Sequence, residues 1–392
     1  MSNPTSHLQS GGQRALSGVL AALLVLGLLM LALAADSMLN TMIASAATAP
    51  AATTGNGGGE HFQLSGDHVS LYNLAGEVVL EAGRGSAVEV TLARGGRDAA
   101  QLQIQTGAIG GRQTLRVRYP SDHIIYPAIG FGSNCELHVR DDGTFGDSGS
   151  KHAFDMGRRM KISGSGSGTE AHANLRIAVP AGRTVDVYLG AGTITASNVD
   201  GTIRLETASG DVESTNMKGS LVVDTGSGGV GVSGMVGALS IDTGSGDVTV
   251  SKASGGDLLV DTGSGSITGT DLSVADLNCD TGSGDIRLRG VKASSLHLDV
   301  GSGSVDVGLV ADTGDLMVDT GSGNVTLRVP QGFGGDLSIE TGSGDIETEM
   351  PITVTRHSSD ALRGTIGDGR GQVVVETGSG NVQILAAKAG TK

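Results

Sequence analysis

Five aspartates share one tetrapeptide: Asp-Thr-Gly-Ser begins at Asp224, Asp242, Asp261, Asp280 and Asp319, each time behind an apolar residue. A carboxylate in such a turn could share a proton with a second carboxylate and activate water. Arrayed with its copies, it could instead hold a divalent cation such as Ca2+ through carboxylate and turn oxygens. A second candidate is Gly146-Asp147-Ser148-Gly149, where His123, His138 and His152 lie close enough in sequence to supply a base for Ser148. Cys135 and Cys279 complete the reactive side chains. They are too few for a disulfide framework and lack metal-ligand spacing, so both are read as free.

The aspartate string resembles the active-site signature of pepsin-like aspartic proteases. Those enzymes bring two carboxylates together from two lobes, whereas here each aspartate has equivalent copies and the rest of that pattern is missing. The Gly-Asp-Ser-Gly string resembles the nucleophile turn of trypsin-like proteases, but no third group is placed to orient a base, and Gly, Ser and Asp are abundant around it. Glycine-rich runs match loose dinucleotide patterns, yet no helix follows them and no phosphate-binding lysine motif occurs. The chain is therefore expected to have no catalytic residues and no cofactor. The cation question stays open at the aspartates, where hydration, screening and corner hydrogen bonds compete with a ladder of divalent cations.

What must position these residues is a repeat. Its unit reads apolar-x-apolar-acid-Thr-Gly-Ser-Gly-x-apolar-x-apolar, as in residues 239–250, LSIDTGSGDVTV. The last glycines of the copies are Gly192, Gly210, Gly228, Gly246, Gly265, Gly284, Gly303, Gly323, Gly344 and Gly380, spaced by 18, 18, 18, 19, 19, 19, 20, 21 and 36 residues. Leu221 and Val223, Leu239 and Ile241, Leu277 and Cys279, Leu316 and Val318, and Leu337 and Ile339 alternate inward before the turn. Val230 and Val232, Val248 and Val250, Ile286 and Leu288, and Val325 and Leu327 do so after it. Cys279 thus falls in a core column. One such unit cannot bury its own apolar face, so successive coils must stack. The expected fold is all-β, a single-chain parallel β-solenoid (β-helix) with rungs of 18–21 residues and Gly-Ser-Gly at one corner. The stack would carry Glu206, Asp224, Asp242, Asp261, Asp280, Asp299, Asp319, Glu340 and Glu376 in one outward column.

Composition agrees with small stacked rungs. The 392 residues include 66 glycines, no tryptophan and 2% aromatics, which disfavours an aromatic-filled globular core. With 26 basic against 41 acidic residues, the net charge of −15 repels phosphate backbones and argues against nucleic-acid binding.

Segments follow from the pattern. Arg14 precedes an uncharged run at 15–35 that ends at Asp36, so 1–36 is read as a cleaved signal or a retained membrane-anchoring helix. Residues 37–60 read as a linker, 61–118 as degenerate first rungs, and 119–170 as an insertion. Regular rungs occupy 171–386, with a second insertion near 351–371 and a tail at 387–392. The first insertion holds five of the nine aromatics, Tyr119, Tyr126, Phe131, Phe145 and Phe154, together with His138. Tyr126, Phe131, His138, Phe145 and Phe154 are candidates for a contact surface, and a hydrophobic cap or side flap is the alternative.

The repeat, Val179-Pro180-Ala181-Gly182 and residues 362–369, LRGTIGDG, together resemble the bacterial "putative adhesin" family of β-helical domains over about 66–386. The resemblance implies an exported, envelope-associated, non-enzymatic solenoid with an unknown envelope or cell-surface partner, in contact with the membrane through 1–36 if that segment is retained. It supplies no functional residues. A structural or sensory envelope scaffold and a polysaccharide-acting β-helix enzyme are the competing readings. The repeats from Gly192 onward hold one aromatic, Phe333, which is poor material for stacking sugars.

Overall fold

A computed structural model describes residues 53–54, 59–146 and 157–387. The signal or anchor segment, Ser148, His152 and Phe154 lie outside the described residues, and no described helix is long and apolar enough to cross a membrane. The described chain is all-β, with two single-turn 3-10 segments, and is dominated by one long, parallel-rich sheet of stacked rungs.

Each regular rung is a long strand, a Gly-Ser-Gly corner, a short strand and a second corner. Val236–Ser245 followed by Val248–Ser251 is one example. It pairs in parallel with Lys218–Thr225 and Val230–Ser233 below, and with Ser254–Ser264 and Ile267–Ser273 above. Leu239, Ile241, Val248 and Val250 point between the long and short walls and are buried there with their equivalents. Threonine shares this interior. Thr225, Thr262, Thr281 and Thr320 donate their hydroxyls to the carbonyls of Gly210, Gly246, Gly265 and Gly303 of the preceding rung, at 3.0–3.4 Å.

Both corners need unusual backbone. Gly246 sits at φ 151°, and a Cβ there would strike the Gly228 carbonyl one rung below. Only glycine fits such a column. The second corner uses the left-handed region at φ 53–75° in Asn198, Asn216, Gly234, Lys252, Asp271 and Gly290, one residue per rung. Asn, Asp and Gly tolerate that conformation, and Lys252 is the exception in type.

Stack order departs from chain order at two places. His68–Ala75 and Val78–Ala82 form the first rung, and the rung stacked directly on it is Arg183–Ala191 with Ile194–Ser197. Residues 83–146 and 157–182 stand outside the run of rungs. They supply outer neighbours to the first rung: Arg112–Arg118 beside His68–Ala75, and His172–Val179 beside Val78–Ala82. The alternation at Val88, Val90 and Leu92 does mark a strand, Val88–Gly95, but it runs antiparallel to Glu60–Leu64 and His172–Val179. A period of two is the same for either strand direction, so alternation in the sequence cannot tell a rung from a cap.

The second departure concerns Gln372–Thr377 and Val382–Ala386. This rung lies between Asp315–Thr320 with Val325–Val329 on one side and Gly335–Thr341 with Ile346–Thr348 on the other. Beyond it, Ala361–Ile366 and Ile352–His357 close the long-strand wall with antiparallel pairing.

A separate three-stranded sheet, His123–Ile125, Gly157–Ser163 and Asn134–Arg140, comes from the 119–170 region. It lies against the outer side of the second rung, where the Cys135 thiol is 3.7 Å from the Gly190 carbonyl.

Candidate functional site

Parallel registry places the acidic residues in a single outward column. Its spatial order is Glu206, Asp224, Asp242, Asp261, Asp280, Asp299, Asp319, Glu376 and Glu340. All five aspartates of the recurring tetrapeptide belong to it. Arg204 bridges its first two members, 3.2 Å from Glu206 and 3.6 Å from Asp224. Arg363 closes the other end on Glu340 at 2.8 Å.

Between these arginines the carboxylates meet mainly one another. Burial, and behind it the Asp242 charge, raises the Asp224 carboxyl above its ordinary range despite Arg204. Asp261 is raised by burial and then by Asp242, Asp280 by burial and then by Asp299 and Asp261, and Asp319 by burial and then by Asp299. Carboxylates one rung apart, about 4.8 Å, repel by roughly 1 kcal/mol even in water. Among the described residues no group of three or more His, Cys, Asp or Glu side chains is arranged to hold a metal ion.

Next to the acids runs a second outward column, two residues earlier in each long strand: Val222, Ser240, Leu259, Asn278, His297, Met317 and Val374. Val222, Leu259 and Val374 are half-buried and Met317 is exposed. The face therefore pairs a line of charge with a broken line of apolar side chains. At its far end, an open depression of about 410 Å³ gathers Asp319, Glu376, Glu340 and Asp360 with Arg356.

The aromatic insertion divides. Tyr126 is buried, its ring 5.2 Å from that of His172, and burial followed by Glu77 raises its phenol. Phe145 is also buried, edge-on at 5.7 Å to Tyr72, which stacks on Tyr188 at 4.7 Å. These two rings pack the insertion onto the first rungs. Phe131, 94% exposed, and His138, also exposed, face solvent.

Neither thiol is primed to react. Burial, with Glu136 behind it, pushes Cys135 up to about 11; burial, with Asp280 behind it, pushes Cys279 up to about 12. Cys279 fills the inward column between Val260 and Leu298.

One polar cluster was not singled out from the sequence. Asp186 is buried, and its Oδ2 lies 2.6 Å from His68 Nε2, 3.1 Å from Ser70 Oγ and 3.4 Å from Arg112 Nη1. Serine, histidine and aspartate meet here, but Ser70 donates to the aspartate rather than the imidazole and is wholly buried. That makes it a tie between the first two rungs and the 112–118 strand, without an accessible nucleophile. Aligning Val69-Ser70-Leu71-Tyr72 with Val185-Asp186-Val187-Tyr188 would have paired Ser70 with Asp186 in advance.

No curated protein matches the chain. A solved crystal structure of a "putative cell adhesion protein" from Clostridium sporogenes aligns at 11% identity and a TM-score of 0.19, covering 84% of this chain and 99% of that one. Residues 220–385, which hold eight of the nine acids in the column, match the family model described as Toastrack DUF4097.

Proposed function

We propose that the protein is a non-enzymatic interaction module of the bacterial cell envelope or surface, exported by its N-terminal segment, that contacts an envelope or cell-surface partner through the outward face of its long strands. The observation that carries this reading is repetition. A catalytic site draws unlike groups to one point, whereas this face sets like groups at equal intervals: an acid at every rung from Glu206 to Glu340, flanked by Val222, Leu259, Met317 and Val374. Such a face suits an extended partner that is cationic and partly apolar. It repels nucleic acid, as the net charge of −15 also does. Phe131 and His138 offer a second, smaller contact on the insertion.

Water and salt relieve the acidic column in this reading, with no resident cofactor. Tm is then the same in Ca2+ and in chelator. A rise with Ca2+ would move the column to cation binding, because a ligand specific to the folded state stabilises it in proportion to occupancy.

Protease shaving of intact cells, with the released fragments and the N-terminus read by mass spectrometry, tests the placement. Release of rung peptides from whole cells is expected. Protection until the envelope is opened would replace the surface module with an internal scaffold or sensor.

A further inference from the structure

The rung 372–386 lies between two rungs that both precede it in the chain. Its two neighbours match each other in residue type and register. Leu316 and Leu337 flank Val373, Val318 and Ile339 flank Val375, Asp319 and Glu340 flank Glu376, and Thr320 and Thr341 flank Thr377. Polar ladders cross the slot in the same order. Asn381 N–H donates to Asn324 Oδ1 and Asp345 N–H donates to Asn381 Oδ1, both at 2.9 Å. The hydroxyls of Thr377 and Thr341 reach the carbonyls of Gly323 and Gly380. The strand pairings, the threonine bonds and the corner ladders that hold the insert are thus repeat bonds with counterparts elsewhere in the stack, and none of them depends on which chain supplies the rung. The connection into it, Gly367-Asp368-Gly369-Arg370-Gly371, has three glycines, two of them at φ 58° and 70°.

We infer that residues 372–386 are an exchangeable insert and that the protein self-associates by reciprocal donation of this rung into the slot of a second copy. The closed monomer and the exchanged dimer contain the same strand pairings. They differ only at the 367–371 hinge and in the entropy of association, so concentration selects between them. In the exchanged dimer the partner copy contributes the whole rung that the chain's own 372–386 supplies in the closed monomer.

Met317 and Val374 are register partners on the outward face, at the ~4.8 Å strand spacing that a disulfide can span. In a Cys135→Ser background, a chain carrying both Met317→Cys and Val374→Cys is expected to cross-link internally and remain monomeric at low concentration. A Met317→Cys chain co-refolded at high concentration with a Val374→Cys chain is expected to give a disulfide-linked heterodimer in several-fold excess over either homodimer. Internal linking in the double variant combined with no heterodimer would overturn the exchange, and failure of the double variant to link would remove the slot itself. Met317→Cys with Ser338→Cys places the thiols two strands apart, about 9.6 Å, beyond disulfide reach. This pair is expected to stay reduced. Its cross-linking would show the flanking rungs closing on each other and would also overturn the proposal.

Discussion

Thr243 and Thr281 hold the same inward position two rungs apart, yet their hydroxyls differ. Thr281 donates to the Gly265 carbonyl at 3.0 Å, while Thr243 Oγ1 is buried without a hydrogen-bond partner. A buried hydroxyl without a partner costs about 1–3 kcal/mol, and a satisfied one contributes about 1 kcal/mol. Thr243→Val should therefore raise stability by about 1 kcal/mol in denaturant titration, and Thr281→Val should lower it by a similar amount. Val300 already occupies this column between Thr281 and Thr320, so the branched shape fits.

Asp261 tests the outward face at the same scale. Because burial and then Asp242 hold its carboxyl above the ordinary 3.8, the folded state binds that proton more tightly than the unfolded chain does. The ionised group is destabilising at neutral pH, and the penalty fades as pH falls through the raised value toward 3.8. Asp261→Asn should raise Tm at pH 7, with the gap to the parent narrowing toward pH 4. Asp306 acts in the opposite sense: burial there is outweighed by Arg289 and Arg328, which lower its carboxyl. The difference between variant and parent, rather than the parent's own pH curve, is the quantity to measure.

At the scale of the rung, the two corners were unequally legible. Gly-Ser-Gly announces itself because its column accepts only glycine, and the period of 18–21 residues could be counted from it. The second corner is written in Asn198, Asn216, Gly234, Lys252, Asp271 and Gly290, residue types that share a tolerance for positive φ rather than an identity. Lys252 holds φ 55° without that tolerance, at a cost of about 1 kcal/mol. Lys252→Gly should recover about that much, whereas Gly246→Ala should cost about 1–3 kcal/mol or prevent folding, since its column forbids a Cβ. Thermal melts of the two variants should move in opposite directions.

Over the whole molecule, the sequence identified the repeated wall and the acidic column but not which rung touches which. Leu316, Leu337 and Val373 read alike, so nothing in their types shows that the last of them sits between the other two. The contact between the second rung and the first was hidden similarly, because Asp186 meets His68 and Ser70 across more than a hundred residues of chain. The stack also has its own thermodynamics, because each rung rests on its neighbours alone. Leu298→Ala, which empties a fully buried position in mid-stack, should cost about 2–5 kcal/mol. Hydrogen exchange should show the loss concentrated in 276–329 and fading toward 183–215.

The inserted rung also bears on how the chain is made. Residues 372–386 leave the ribosome, and any export channel that runs from the N-terminus, after both of the rungs they separate. During that interval 315–329 and 335–348 have already emerged with the strand between them still to come. The acidic wall becomes continuous from Asp319 through Glu376 to Glu340 only once that later segment is free. A chain held partway through the membrane would thus present an unfinished edge on its outer side, and its release would be the event that completes the face.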